Sequence, residues 1–307
     1  MSGLPWSSHS VILKEAVFEG YLVADSPLRI GVGNEAPLGS AAHLAVLRIK
    51  LNGKLVPYIP GSSLKGVFRS TAILLANQKG LTVCSGLSEQ TCMDQEYHES
   101  CRVKKLLEKI QEEMENGNVS GAIGLFHERA CLLCKVFGAP SFRGHAEFCD
   151  SYPVNENGDV QDVPVGVRAG IAINRRTGAV RQYYRVEYVE PGARFKFSIR
   201  TTNLPNYALG LLAKVVRMLN DGWVGIGGFK TRGFGEVRVE TEGLRFTASG
   251  PTVQGTKMFA VDEEDVELDL AGHVSSTSRG LEASGDEAWE VLAKLEEVWD
   301  RVKFKPK

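Results

Sequence analysis

Long apolar runs are missing: nothing in the 307 residues approaches the about 20 consecutive apolar positions that a membrane-spanning helix needs. The first ten residues, MSGLPWSSHS, lack a basic start followed by an apolar stretch. No secretory signal is therefore expected, and the chain reads as soluble and cytoplasmic with no membrane partner. Disulfides are not expected in that compartment. A Walker loop is also missing, because the lysine of Pro60-Gly61-Ser62-Ser63-Leu64-Lys65-Gly66 follows leucine and not glycine. So is a dinucleotide fingerprint, since the glycine-rich stretch near the end of the core leads into a strand and not a helix. Nucleotide-triphosphate and Rossmann chemistry are excluded on that ground. Net charge is close to zero, at −1, and says nothing by itself.

What is present is a chain of ordinary globular make-up, 43% hydrophobic and 24% charged, long enough for one large or two modest cored domains. Its charge is unevenly placed. Residues 165–240 hold thirteen lysines and arginines, among them Arg168, Arg175, Arg176, Arg181, Arg185, Lys230 and Arg232, against five acids. Asp262, Glu263, Glu264, Asp265, Glu267 and Asp269 follow in one short acidic stretch. A basic block inside a neutral protein suits a polyanion-binding surface.

Periodicity predicts a first strand over 11–23, broken by Asp25-Ser26-Pro27, and a small-residue, mobile loop over 31–43. A second extended segment, 44–51, turns at Asn52-Gly53. A helix is expected over 62–77, capped by Ser62 or Ser63. Residues 80–137 read as a helical insertion, with helices at 102–115 and 120–137. Strands are expected at 142–149, 165–173, 183–189 and 194–201, a helix at 206–220, a strand at 236–240 and an amphipathic helix at 285–303. The core order of strand, helix, β-rich middle, helix and strand predicts an α+β fold, a ferredoxin-like (RRM-like) sheet with helices on one face. Its first half is expected over 11–79, the β-rich segment over 138–200, the second half over 201–240 and an acidic extension over 241–307.

Two glycine-containing segments carry the strongest functional signal. Ile59 to Ser70 places a Pro-Gly turn at a helix N-terminus, where free amides and the dipole favour an anion. Lys65 and Arg69, four apart, share a face. Gly225 to Gly235 (GIGGFKTRGFG) lets another backbone approach and adds Lys230 and Arg232. The run Arg232 to Val239 partly matches an RNA-stacking motif. However, Glu236 and Val239 fall where its aromatics belong, so base stacking from that strand is not expected.

Together with Ser26-Pro27-Leu28-Arg29-Ile30-Gly31 and Val136-Phe137-Gly138, these two segments resemble the RAMP superfamily of CRISPR-associated proteins over roughly residues 11–240. Within it they resemble the backbone subunit of type III (Csm-type) interference complexes. The resemblance implies a subunit that polymerises along a crRNA, holding its phosphates while bases pair with target RNA. Its partners would be that RNA, copies of itself and other subunits of the complex. It marks Arg29, Ser62, Ser63, Lys65, Arg69 and the Gly227, Gly228, Lys230, Arg232 loop as backbone contacts. It also makes Arg175, Arg176 and Arg181 part of a gripping hairpin, or thumb. The family's loop histidine is replaced here by Arg29, and the aspartate that supports metal-dependent cleavage has no counterpart near Ala42 or His43. Glu35, the only acid between Gly31 and Arg48, comes too early. His43 remains as a metal-free general-base candidate, and an endoribonuclease of the same superfamily is the alternative reading.

The insertion concentrates Cys84, Cys92, His98, Cys101, Cys131 and Cys134. His98-x-x-Cys101 and Cys131-x-x-Cys134 are chelating pairs that would make a tetrahedral Cys3His structural zinc site, with Cys84 and Cys92 able to replace either pair. A zinc-containing protein-interaction module is a third reading.

Overall fold

The computed structural model describes residues 5–31, 42–51, 53–99 and 102–304. Most of the loop expected at 31–43, Asn52 and Cys101 lie outside the described residues. Strand β1 (Glu15–Ala24) is the spine of the molecule. After the short hairpin β2 (Arg48–Leu51) and β3 (Lys54–Pro57) comes α1 (Gly61–Gln78). The insertion contains a hairpin, β4 (Glu96–Glu99) and β5 (Arg102–Lys105), then α2 (Leu106–Glu115), α3 (Val119–Arg129) and α4 (Leu132–Phe137). Then come β6 (Ala146–Phe148), a long hairpin of β7 (Val165–Ile173) and β8 (Val180–Val189), β9 (Arg194–Thr202), α5 (Asn206–Asn220) and β10 (Val237–Val239). The remainder forms β11 (Arg245–Ser249), β12 (Val253–Gln254), β13 (Lys257–Met258), β14 (Leu268–Asp269), β15 (Ser275–Thr277), β16 (Gly280–Ser284) and α6 (Asp286–Arg301).

The main sheet runs β15-β16-β11-β1-β9-β6, all antiparallel, with β10 also paired to β1. Taking β1, β6, β9 and β10 as the four core strands in chain order, the spatial order is fourth, first, third, second. That is the ferredoxin-like arrangement, and the fold is α+β as expected. One edge of β1 serves two partners: Leu22–Ala24 pair with β10 and Glu15–Glu19 with β11. The strands after residue 240 thereby extend the core sheet. Alternation follows the pleat: Ala16, Phe18 and Leu22 are buried, while Glu15 is exposed and Val17, Glu19 and Tyr21 are half-buried.

Several boundaries differ from expectation for identifiable reasons. β1 starts at Glu15 because Leu13 N–H is taken by Asn203 Oδ1 at 2.7 Å. Residues 102–105, expected to be helical, pair with β4. The helix expected over 120–137 is cut in two where Cys131 N–H bonds Cys92 Sγ at 3.2 Å, with Ala130 and Cys131 extended. Neither Ser62 nor Ser63 caps α1. Pro60 is its N-cap, and Gly61 N–H donates to Asp150 Oδ1 at 2.8 Å.

The extension past 240 also packs on α5. Helix α5 has more than one buried face, with Tyr207, Ala208, Leu211 and Val215 buried as well as Leu209, Leu212, Val216 and Leu219. Facing it, α6 buries Val291, Leu292, Leu295 and Trp299. Part of the acidic stretch folds onto the N-terminus of α5. There Asp265 accepts from Asn206 N–H at 2.9 Å and Asp262 from the Tyr207 hydroxyl at 2.6 Å, a placement the helix dipole favours. Buried Lys14 reaches Asn206 Oδ1 at 2.5 Å. Burial lowers its pKa to about 8, and Asp265 and Asp262 oppose the shift. No described helix is long and apolar enough to cross a membrane.

Candidate nucleic-acid interface and metal centre

The segment after β1 organises the first site. Leu28 exchanges backbone hydrogen bonds with Val189 at the base of the β7–β8 hairpin, and Ile30 accepts from Leu47 N–H at 2.7 Å. Arg29 between them accepts from Gly228 N–H at 2.9 Å. Gly227, at φ +82°, passes so close that a Cβ would lie 2.2 Å from Arg29 O. Only glycine fits there, so the sequence's loop glycines serve this chain-to-chain approach.

Next in the loop, Phe229 holds a left-handed conformation (φ 61°, ψ 24°). A bulky residue adopts it at a cost of order 1–3 kcal/mol. The ring it presents carries the Arg29 guanidinium 5.4 Å from its centre and that of Arg232 at 5.1 Å. Both distances are in the cation–π range. Arg232 Nη1 also donates to the Tyr184 hydroxyl at 2.8 Å, tying the loop to β8. Arg29 is only 9% exposed. Its Nε has no hydrogen-bond partner among the described residues, and burial lowers its pKa. A desolvated cation with an unanswered N–H is a seat for an anion. Phe229, Arg232, Tyr184 and Gln182 line an open cleft of about 880 Å³ together with His43.

Arg185 N–H donates to His43 Nδ1 at 3.1 Å, which leaves the proton of a neutral ring on Nε2.

The amides expected to be bare are engaged in part. In the loop, the N–H groups of Ile226, Gly228, Arg232 and Gly235 all bond carbonyls. At α1, Asp150 holds Gly61, while Ser63 and Leu64 bond Pro60 O. Arg232 and the rings of Phe229 and Tyr184 face the cleft. The turn into α1 packs on the segment that carries Arg29, where Pro57, Tyr58 and Ile59 line one narrow interior gap with Leu28, Ile30 and Val189. Ser62 is exposed, and Ser63 and Lys65 are half-buried. Lys65 makes no ion pair among the described residues, and its pKa is lowered by burial and then by Arg69. Arg175, Arg176 and Arg181 are exposed at and beside the far end of the β7–β8 hairpin, and Lys230 is exposed on the loop. β10 turns Glu236 and Arg238 outward and buries Val237 and Val239, so it offers no stacking ring. Phe229 and Tyr184 were not predicted. The loop's aromatic was legible as a residue, but not its left-handed backbone.

Arg69 does not join the cleft. It points beneath α1 to a second site, where Cys84, Cys92, Cys131 and Cys134 place their sulfurs within 4.8 Å of one another. Cys84 Sγ is 3.1 Å from Cys134 and 3.8 Å from Cys131. A tetrahedral ion with metal–sulfur bonds of about 2.3 Å has sulfurs about 3.8 Å apart, so the donor set fits a metal. Cys131 is the N-cap of α4 and Cys134 lies one turn in. Cys92 opens a short turn held by a Thr91–Asp94 capping box. The thiols share protons. Hydrogen bonding from Cys134 pulls Cys131 down to about 6, hydrogen bonding from Cys131 lowers Cys84, and the same contacts raise Cys92 and Cys134. The expected pairing thus meets differently: the Cys131–Cys134 pair is joined by the two alternates, Cys84 and Cys92. His98 sits in β4, and its side chain, like Cys101, lies outside the described residues. Cys149 stands apart from the four.

The family model of the RAMP superfamily matches residues 21–238, from the middle of β1 through β10. The chain belongs to the RAMP superfamily. That span takes in the residues of both sites and most of the four-stranded ferredoxin-like core, short of the first half of β1. Among curated proteins none matches significantly. At the level of the superfamily, this places the chain with the RNA-binding proteins of CRISPR ribonucleoprotein complexes. The four cysteines are compatible with a bound metal.

Proposed function

We propose that this RAMP protein binds single-stranded RNA through its sugar-phosphate backbone as a repeating subunit of a type III, Csm-type interference complex. Its ligands would be crRNA and the target paired to it, and its neighbours other copies of itself and further subunits. The observation that carries the reading is the Arg29–Phe229–Arg232 stack. A strained aromatic holds two guanidinium groups, that of Arg232 lining the cleft and that of Arg29 beside it, desolvated and with an N–H unpartnered among the described residues. Guanidinium groups suit phosphate because they are planar, always charged and fork-shaped. The rings of Phe229 and Tyr184 can receive a splayed base, as single-strand binders do. Arg175, Arg176 and Arg181 would follow the backbone along the hairpin, with Lys65, Ser62 and Ser63 on the α1 side. Zinc held by Cys84, Cys92, Cys131 and Cys134 would fix the insertion in place.

The test is to incubate the purified protein with end-labelled single-stranded RNAs of different sequence, with and without divalent metal. Retarded strands of unchanged length, with affinities nearly independent of sequence, support the scaffold reading. Shortened strands would establish the endoribonuclease alternative, and no retardation at low salt would refute RNA binding.

A further inference from the structure

Helix α1 sends its second cation away from solvent. Arg69, one turn after Lys65, donates from Nη1 to Gly138 O at 3.0 Å and brings Nη2 to 3.7 Å from Cys84 Sγ and 3.6 Å from Cys134 Sγ. Its Nε is buried with no hydrogen-bond partner. The loop above closes directly on it, since a Cβ at Gly86 (φ +74°) would fall 2.2 Å from that nitrogen. No carboxylate contacts the guanidinium: its salt-bridge partners among the described residues are none, and its described acceptors are one carbonyl and two sulfurs. A half-buried guanidinium enclosed in this way needs negative charge nearby. Two thiols supply it only if they are thiolates, and thiolates are what a metal requires of cysteine. Four thiolates around a divalent ion leave two negative charges in excess. Arg69 would offset one of them while donating to two of the four sulfurs.

We infer that Arg69 is a positioning residue of the cysteine metal centre and not an RNA contact, bonding the sulfurs of Cys84 and Cys134 and so fastening the centre to helix α1. This rests on the zinc reading above. The other arginines expected to contact RNA have no comparable geometry. Arg29 and Arg232 cover an aromatic ring, and Arg175, Arg176 and Arg181 are exposed. Gly138, at φ +92° just past the end of α4, turns the chain so that its carbonyl accepts from Arg69 Nη1.

The experiment compares full-length wild type with Arg69→Gln and Arg69→Lys. Zinc affinity is read by competition with a chromogenic chelator, the sulfur-to-metal charge-transfer band is read after cobalt substitution, and RNA affinity is read across a salt series. Wild type is expected to hold one zinc per chain. Arg69→Gln should weaken zinc about 10- to 100-fold, as loss of a hydrogen bond to a metal ligand does, and shift the cobalt band. The slope of RNA affinity against salt should stay unchanged. Arg69→Lys keeps the charge but not the fork, so it should show a smaller change in the same direction. It is the deciding variant if Arg69→Gln does not fold. Zinc affinity and cobalt spectrum unchanged in the variants would overturn the inference, as would a salt slope reduced with zinc retained. A wild-type chain that takes up no zinc or cobalt would instead refute the zinc reading from which the inference starts.

Discussion

The cleft beside the outer half of the β7–β8 hairpin and the cysteine cluster beneath α1 both gather residues distant in sequence, yet they treat charge in opposite ways. At the cleft, Arg29 and Arg232 both lie against the Phe229 ring with no acid among their described partners, and Arg232 and the ring line a wide opening. In the cluster, Cys92, Cys131 and Cys134 are buried, Cys84 is half-buried, and one arginine is already committed to the sulfurs. The first arrangement leaves a positive surface that a mobile polyanion can complete. The second closes upon itself and is complete once an ion is present. Two residues one turn apart on α1 mark the boundary, Lys65 on the outer side and Arg69 on the inner.

If that contrast is right, damage to the two sites should separate stability from binding. The largest effect is expected from Cys134→Ala, which removes a fully buried sulfur of the candidate metal centre. Metal binding is folding free energy in such sites, so loss of about 4 kcal/mol or more should lower the melting temperature by roughly 10 °C. Zinc content should fall with it, while RNA affinity below the transition changes little. Next comes Arg29→Met, which keeps the apolar stem but not the charge. Fluorescence anisotropy should register a loss of RNA affinity of about tenfold or more, with little change in melting. Equal losses in both properties for either variant would break the contrast.

A sharper case is Phe229. Replacing it by glycine removes ring and strain together, whereas alanine removes the ring and keeps the left-handed backbone. Denaturant titration should find Phe229→Gly more stable than Phe229→Ala by about 1 kcal/mol, with both weaker for RNA than wild type. The smallest effect belongs to Lys65→Ala, a loss of a few-fold in affinity that rises as salt is lowered. A larger loss there than at Arg29 would move the principal grip to the turn before α1.

The fold was largely legible because its signals are local. The helix at 206–220 matches α5 residue for residue, since its apolar period, its preceding proline and its polar end agree. The helix at 120–137 was misjudged because a long-range bond, Cys131 N–H to Cys92 Sγ, outweighs helix propensity. Arg29, Lys230 and Arg232 could be singled out from charge and motif, but the part played by Phe229 depends on its backbone conformation. Lys65 and Arg69 share a helical face, as spacing requires. Which way each turns depends on what lies under the helix, and the insertion that supplies the sulfurs is remote in sequence.

The most direct test of the account is the salt dependence of RNA binding by wild type and by the Arg29→Met/Arg232→Ala double variant, both zinc-loaded. Each phosphate contact on a single strand adds about 0.7 to the slope of log affinity against log salt. The double variant should therefore bind more weakly at every salt concentration, with a slope shallower by about 1.4. Identical affinity and identical slope in the two proteins would show that the cleft does not hold the RNA backbone.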